Sequence, residues 1–151
     1  MATVAMSGAD TIKVNDRILA DLADGDCVHL TYPNEIASVK TGKNGNSIFG
    51  KNETGKQAEL ALRVIRGSSD DKYLNNLMAI QDNAFQSFVL LTGEFIKRVG
   101  NGAGLVSSDT IVTSGGVFSK RVEAKSNVDG DSEQSVAVYH VKYSVALRVI
   151  T

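Results

Sequence analysis

Ala58, Leu60, Leu62 and Val64 occupy every second position of Gln57-Ala-Glu-Leu-Ala-Leu-Arg-Val-Ile-Arg66, so this stretch buries one face only as a β-strand. Gly67-Ser-Ser-Asp-Asp71 then breaks the strand and supplies a Ser/Asp N-cap with acidic residues behind it. Tyr73, Leu74, Leu77, Met78 and Gln81 follow at helical spacing, an apolar stripe with one polar end. Phe85 to Val99 returns to β character through Phe88-Val-Leu-Leu91 and Phe95-Ile96. One amphipathic helix over residues 70–82 therefore flanks a mainly β chain.

The rest of the chain supports that class. Residues 1–151 make one domain by length, large enough for a core, and 14 glycines beside one proline suit strands joined by many turns. Thr11–Val14 and Arg17–Leu19 form a short hairpin around Asn15-Asp16, and Cys27–Tyr32 is a strand with Val28, Leu30 and Tyr32 on one side. Short strands are expected at 110–113, 117–118 and 121–124, with loops at Gly100–Gly104 and Ser126–Glu133. The run Val136–Ile150 alternates throughout, with Tyr139, Val141, Tyr143, Val145, Leu147 and Val149 on one face. At about 3.3 Å per residue it spans roughly 50 Å, so it bends or runs past its own sheet onto a neighbour. The expected fold is a small β-barrel or two packed sheets with one flanking helix.

Residues 41–56 stand apart, with four glycines, three asparagines and only Ile48 and Phe49 as sizeable apolar side chains. A connection this long in a compact domain binds something or is unstructured. Its strand-like flanks make residues 38–56 a projecting hairpin arm, with Ile48-Phe49 at the tip awaiting a partner. Charge is distributed to match. Residues 1–36 carry Asp10, Asp16, Asp21, Asp24, Asp26 and Glu35 against Lys13 and Arg17, whereas residues 40–56 carry Lys40, Lys43, Lys51 and Lys56 against Glu53. Solvated surface explains such blocks on its own. The sharper expectation is that the basic arm of one copy meets the acidic segment of Asp21, Asp24 and Asp26 on the next, head to tail.

Signatures of enzyme chemistry are weak. Gly100-Asn-Gly-Ala-Gly104 lacks the strand–helix context and the lysine of a phosphate loop. His29 and His140 lie in alternating strands, and a single cysteine leaves no metal-ligand spacing. Asp21, Asp24 and Asp26 lack the downstream glutamate of a calcium loop. A hydrolase pairing Cys27 with His29 or His140 has nothing to activate the thiol. No catalytic, cofactor or metal residues are assigned. The formal net charge of −1 gives no bias toward nucleic acid or membranes, and a soluble, intracellularly made protein without a signal peptide is expected.

The order of segments is nonetheless distinctive. Asp21-Leu-Ala-Asp-Gly-Asp26 precedes a strand ending Tyr32-Pro-Asn34, then come Val39-Lys-Thr-Gly-Lys-Asn-Gly-Asn46, the strand Glu59–Arg66 and the capped helix from Asp70-Asp-Lys-Tyr-Leu-Asn75. From about Ile12 to Val149 this succession resembles the tail tube proteins of contractile-tailed bacteriophages. The resemblance implies hexameric rings stacked into a hollow tube inside a contractile sheath, with baseplate and terminator proteins at the ends and DNA passing through non-specifically. It places the chain in the virion tail, and in the host cytoplasm during assembly. It also implies that the arm reaches the adjacent ring, so that Lys40, Lys43, Lys51 and Lys56, with Ile48 and Phe49, lie at the contact. Tubes of contractile bacteriocins and of type VI secretion share the architecture. The alternative from the residues alone is a monomeric barrel holding a small ligand in its mouth.

Overall fold

The computed structural model describes every residue except Met1, Ala9, Asp24, Ala124, Asn127, Asp129 and Asp131, with Glu133 described by its backbone only. The chain is mainly β with one flanking helix and two sheets. The strands are β1 (Ala5–Met6), β2 (Thr11–Val14), β3 (Arg17–Ile18), β4 (Val28–Thr31), β5 (Ala37–Thr41), β6 (Ser47–Lys51), β7 (Ala58–Ile65), β8 (Leu91–Gly100), β9 (Val106–Glu123) and β10 (Val136–Ile150); the helix is α1 (Ser69–Asn83). The large sheet is antiparallel in the order β3-β2-β8-β9-β10-β7-β4, with β1 on the far end of β8, while β5 and β6 pair only with each other.

The large sheet curls until its edges nearly meet. Arg17–Ile18 pairs with β2 at one edge, and a few residues later Leu22 bridges Val64 of β7 near the other. Hydrogen bonds from Ala23 N to Arg63 O and from Ile65 N to Asp21 O fix that crossing. Ala58, Leu60, Leu62 and Val64 are all buried, as the alternation requires, against Tyr139, Val141 and Tyr143 of β10 and Leu74 and Met78 of α1. Each fully buried leucine contributes about 1.5–3 kcal/mol.

Local chemistry builds the helix where the sequence placed it. Ser68 Oγ accepts from Asp71 N at 3.2 Å, and Asp71 reaches back to accept from Gly67 N at 2.8 Å, a reciprocal N-terminal cap. Tyr139 donates its hydroxyl to Asp71 Oδ1 at 2.6 Å, and burial together with that carboxylate raises the phenol well above its ordinary value. At the other end Gln81 does the work of a missing strand. Its amide donates to Phe118 O at 3.0 Å and accepts from Phe118 N at 2.8 Å, closing β9 where β8 no longer pairs with it. Replacing Gln81 by Leu strands both backbone groups in a buried site, so a loss of about 2 kcal/mol or more is expected in chemical denaturation.

Three sequence readings change. Residues 85–90 are not strand: residues 85–87 turn, with Ser87 N donating to Ala84 O at 3.1 Å, Phe88 packs against the core, and β8 starts only at Leu91. The expected short strands between 110 and 124 merge into the single strand β9, because Gly115, at φ +64°, carries the chain through what was read as a break. Gly100 closes β8, and residues 101–105 form a compact turn in which Asn101 Oδ1 accepts from Ala103 N and Leu105 N. The expected 126–133 loop falls partly on Asn127, Asp129 and Asp131, outside the described residues.

The long strand β10 both bends and overruns its neighbour. Its register against β9 shifts on either side of His140, and its pairing with β7 ends at Tyr143↔Ala58. Its buried face also changes parity. Tyr139, Val141 and Tyr143 are buried, but beyond them the buried residue is Ala146, and Leu147 and Val149 face outward. β9 switches in step, from Phe118 to Thr113, across Gly115. The Tyr143 and Thr113 hydroxyls are buried at this crossing without a partner of good geometry. Burial pushes Tyr143 up to about 12 even with the Thr113 hydroxyl nearby pulling it down. Tyr143→Phe therefore removes a desolvated hydroxyl that returns little, and a stability change within about 1 kcal/mol is expected by thermal unfolding.

Candidate functional site

The arm is a hairpin, as read, with register Val39↔Phe49 and Lys40↔Ile48. Its tip is the turn Lys43–Gly45, with Asn44 at φ 66°, so Ile48 and Phe49 are not at the tip but on the returning strand. Strand alternation splits them. Phe49 shares a face with Val39, and Ile48 lies on the opposite face with Lys40. Phe49 is 77% exposed and Val39 63%, an apolar cross-strand pair that the described residues leave open. Such a pair contributes about 0.2–1 kcal/mol to the hairpin and leaves apolar surface that a partner could cover.

The root of the arm is firmly held. Asn52 N donates to Ile36 O at 3.0 Å, and Asn34 Nδ2 reaches Thr54 O and Gln57 Oε1. Gly55 is buried so closely against Ile36 that a Cβ there would sit 2.6 Å from the Ile36 Cα, which excludes any larger residue. Root and β10 together enclose an open, mostly apolar groove of about 580 Å³, lined by Tyr32, Ile36, Lys56, Ala146, Leu147 and Arg148 among others.

One wall of the groove is a bare sheet edge. Ser108 and Thr151 exchange N–H···O bonds at 3.0 and 3.1 Å, which by antiparallel alternation turns Ala146, Arg148 and Ile150 away from β9. Tyr32 Oη donates to Ala146 O at 3.1 Å, burial raising its hydroxyl and Arg148 opposing, so the phenol stays a donor. Among the described residues no strand runs along the remainder. The charge that might guard this edge is already engaged, since Arg148 grips Asp109 with two 2.8 Å hydrogen bonds that hold the Asp109 carboxyl below its ordinary value.

The acidic half of the expected charge pairing is differently placed. Asp21 lies in the crossing segment, its backbone N–H bound by Asp70, and Asp26 is exposed just before β4. Asp24 lies outside the described residues. Among the described residues no hydrogen bond or ion pair joins Asp21 or Asp26 to an arm lysine; Lys51 instead faces Glu53 at 3.5 Å. Among the described residues of one copy the two blocks are not brought together.

Two smaller cavities bear on the other readings. Cys27 lines one of about 300 Å³ with Asp10, Lys97 and Asp109, at the lower limit for a small-molecule site. His29 and His140 line a different one, so the structure does not bring the thiol and the imidazoles together. Among the described residues no three His, Cys, Asp or Glu side chains are grouped to hold a metal, and no helix is long and apolar enough to cross a membrane. The open edge follows from the overrun that the length of Val136–Ile150 predicts; alternation does not tell which side of the strand lies bare. Compared with protein-family models and with curated proteins, the chain matches none.

Proposed function

We propose that this chain is a structural subunit that assembles with copies of itself into stacked hexameric rings, the inner tube of a contractile phage tail. The observation that carries the reading is the arm: a well-formed hairpin, anchored at its root, whose Val39, Phe49 and Ile48 are exposed. The isolated chain leaves these side chains in water, whereas a partner ring packed on the arm would bury them. The lysines Lys40, Lys43, Lys51 and Lys56 then serve the inter-ring contact. A bore lined by them would hold DNA through counterion release instead of letting it slide. Sheath subunits outside and terminator and baseplate proteins at the ends complete the partner set. A bacteriocin or type VI tube would use the same surfaces.

Negative-stain electron microscopy across a concentration series tests the proposal, with rings or hollow tubes as the expected result. Featureless particles at every concentration would overturn it and bring forward the small-ligand barrel, which the Cys27 cavity would serve. Phe49→Ala is expected to raise the concentration needed for assembly by about ten-fold or more, since a buried aromatic anchor dominates such contacts. Changing Lys40, Lys43, Lys51 and Lys56 to Glu together should impair polymerisation in sedimentation assays, and normal polymerisation would remove the electrostatic role.

A further inference from the structure

Two strand registers bring both histidines of the chain to the same small residue. Ala61 of β7 pairs with His29 of β4 on one side and with His140 of β10 on the other. Directly paired residues share a face of the sheet, so the two imidazoles flank one methyl group. Because Leu60 and Leu62 are buried, this is the face turned away from the core. His140 pairs in turn with Lys120 of β9, and the next row holds Thr31, Glu59 and Lys142. Between His140↔Lys120 and Val141↔Phe118, β9 carries an extra residue, Ser119, a bulge of the kind that re-aims side chains beside functional sites. Ser119 and Lys120 line, with both histidines, a cavity of about 240 Å³.

Positive charge prevails in this cavity. Lys142 reaches Glu59 only at 3.5 Å, with both side chains half-exposed, and an ion pair of that kind is worth little. Among the described residues Lys120 has no ion-pair partner, and His140 Nε2 is buried without a hydrogen-bond partner. A protonated imidazole donates from both ring nitrogens. The acid form of the cavity therefore offers four cations and the Thr31 and Ser119 hydroxyls against the carboxylate of Glu59. Groups at its margin do not reverse that balance. Arg63 and Glu123 flank Val138 with opposite signs, and Arg121 is tied to Asp82 at 2.7 Å. We infer that this row binds a tetrahedral oxyanion, a phosphate or sulfate group, and releases it as the histidines lose their protons. Two histidines also suit a transition metal. Here two ammonium groups would repel a divalent cation, and among the described residues no third ligand is grouped with them. The volume is below that of ordinary organic-ligand pockets and ample for one ion.

Equilibrium dialysis of the whole chain against radiolabelled sulfate tests the site, with ionic strength held constant by chloride. Working below any assembly concentration keeps the outcome independent of the self-assembly reading. Sulfate holds its charge across the range in which histidine titrates, so any pH dependence of its binding belongs to the protein. One sulfate per chain is expected at about pH 5.5, bound about ten-fold or more weakly at about pH 8. His140→Gln and Lys120→Gln should each weaken binding in acid by about ten-fold. His29→Gln, at an exposed position, carries the same expectation should the His140 variant fold poorly. Lys72→Gln should change nothing, since α1 packs on the opposite, core face of the sheet. Unlabelled inorganic phosphate should displace the label. Displacement by a short DNA duplex as well would mean that backbone phosphates reach the row, and its absence that the ligand is a free anion or a small phosphate ester. Sulfate that fails to bind in acid, or that binds without regard to pH and to the His140, His29 and Lys120 changes, overturns the site.

Discussion

Asp70→Ala is expected to cost this protein about 3 kcal/mol or more, because Asp70 ties the helix start to the crossing that closes the sheet. The residue is 1% exposed, yet its carboxylate is fully engaged. Oδ2 accepts from both Ala20 N and Asp21 N at 2.7 Å, and Oδ1 accepts from Arg17 Nε at 2.9 Å. Arg17 also lies 5.1 Å from the Tyr73 ring, so the same guanidinium joins β3, α1 and the crossing. Truncation leaves two N–H groups facing a cavity, and losing one partner of a buried, hydrogen-bonded ion pair typically costs about 3–5 kcal/mol. Arg17→Ala should cost less, since its guanidinium is partly exposed and the two backbone donors remain on Asp70. Urea denaturation of the two variants gives that order; equal and small losses would show that the crossing closes without the carboxylate.

The same group sets an acid limit. Burial pushes the Asp70 carboxyl up, but the Asp21 N–H, the Arg17 guanidinium and the Ala20 N–H outweigh it and hold it below its ordinary value. A depressed carboxyl stabilises the fold above the unfolded-state value, about 3.9. That stability is lost as the pH falls through the lower folded value. Wild-type stability should therefore fall in acid more steeply than that of Asp70→Asn, measured by urea unfolding between neutral pH and the strongly acidic range.

The parts of this fold that were legible in the sequence are those where one local rule acts alone. Period-two burial in β7 and the stripe of α1 both hold, since Leu74, Met78 and Gln81 are buried on the face that their spacing predicts. Residues 85–90 misled because residues 85–87 turn straight out of the helix end, Ser87 N donating to Ala84 O, and among the described residues no strand edge pairs with residues 88–90. The end of β10 misled for a different reason. Strict alternation assumes an unbroken pleat, and Leu147 and Val149 lie beyond a point where the pleat changes phase.

The arm shows the same division. Its composition and charge marked 38–56 as a separate element, and the hairpin is there, but placing Ile48 and Phe49 at the tip required the register. Only Val39↔Phe49 pairing reveals that the two neighbours face opposite ways. The charge blocks were equally visible in the sequence, yet among the described residues the chain does not fold them against each other. Opposite charges on one sequence define a contact only once a second surface is in reach.

The change of phase in β10 should itself depend on Gly115. At φ +64° this residue sits in the left-handed region, and its missing side chain leaves room for Ser144 on the paired strand. Gly115→Val places a β-branched residue in a conformation that costs about 1–2 kcal/mol for L-residues, and drives it into the Ser144 hydroxyl as well. A combined loss of about 3 kcal/mol is expected in thermal or chemical unfolding. Ser144→Gly in the same chain should recover the part due to contact but not the part due to backbone conformation, so the double-mutant cycle separates them. The functional consequence is larger than the stability loss. Without the left-handed residue β9 reverts to plain alternation, which turns Thr113 outward and Val112 inward, and with it the outward set Leu147 and Val149 on β10. The groove and the bare edge lose their geometry together. Gly115→Val should therefore fail to assemble even at temperatures where its circular dichroism remains native. Normal assembly by this variant would mean that the phase change is a packing detail, and that the surface offered to a neighbouring copy lies elsewhere.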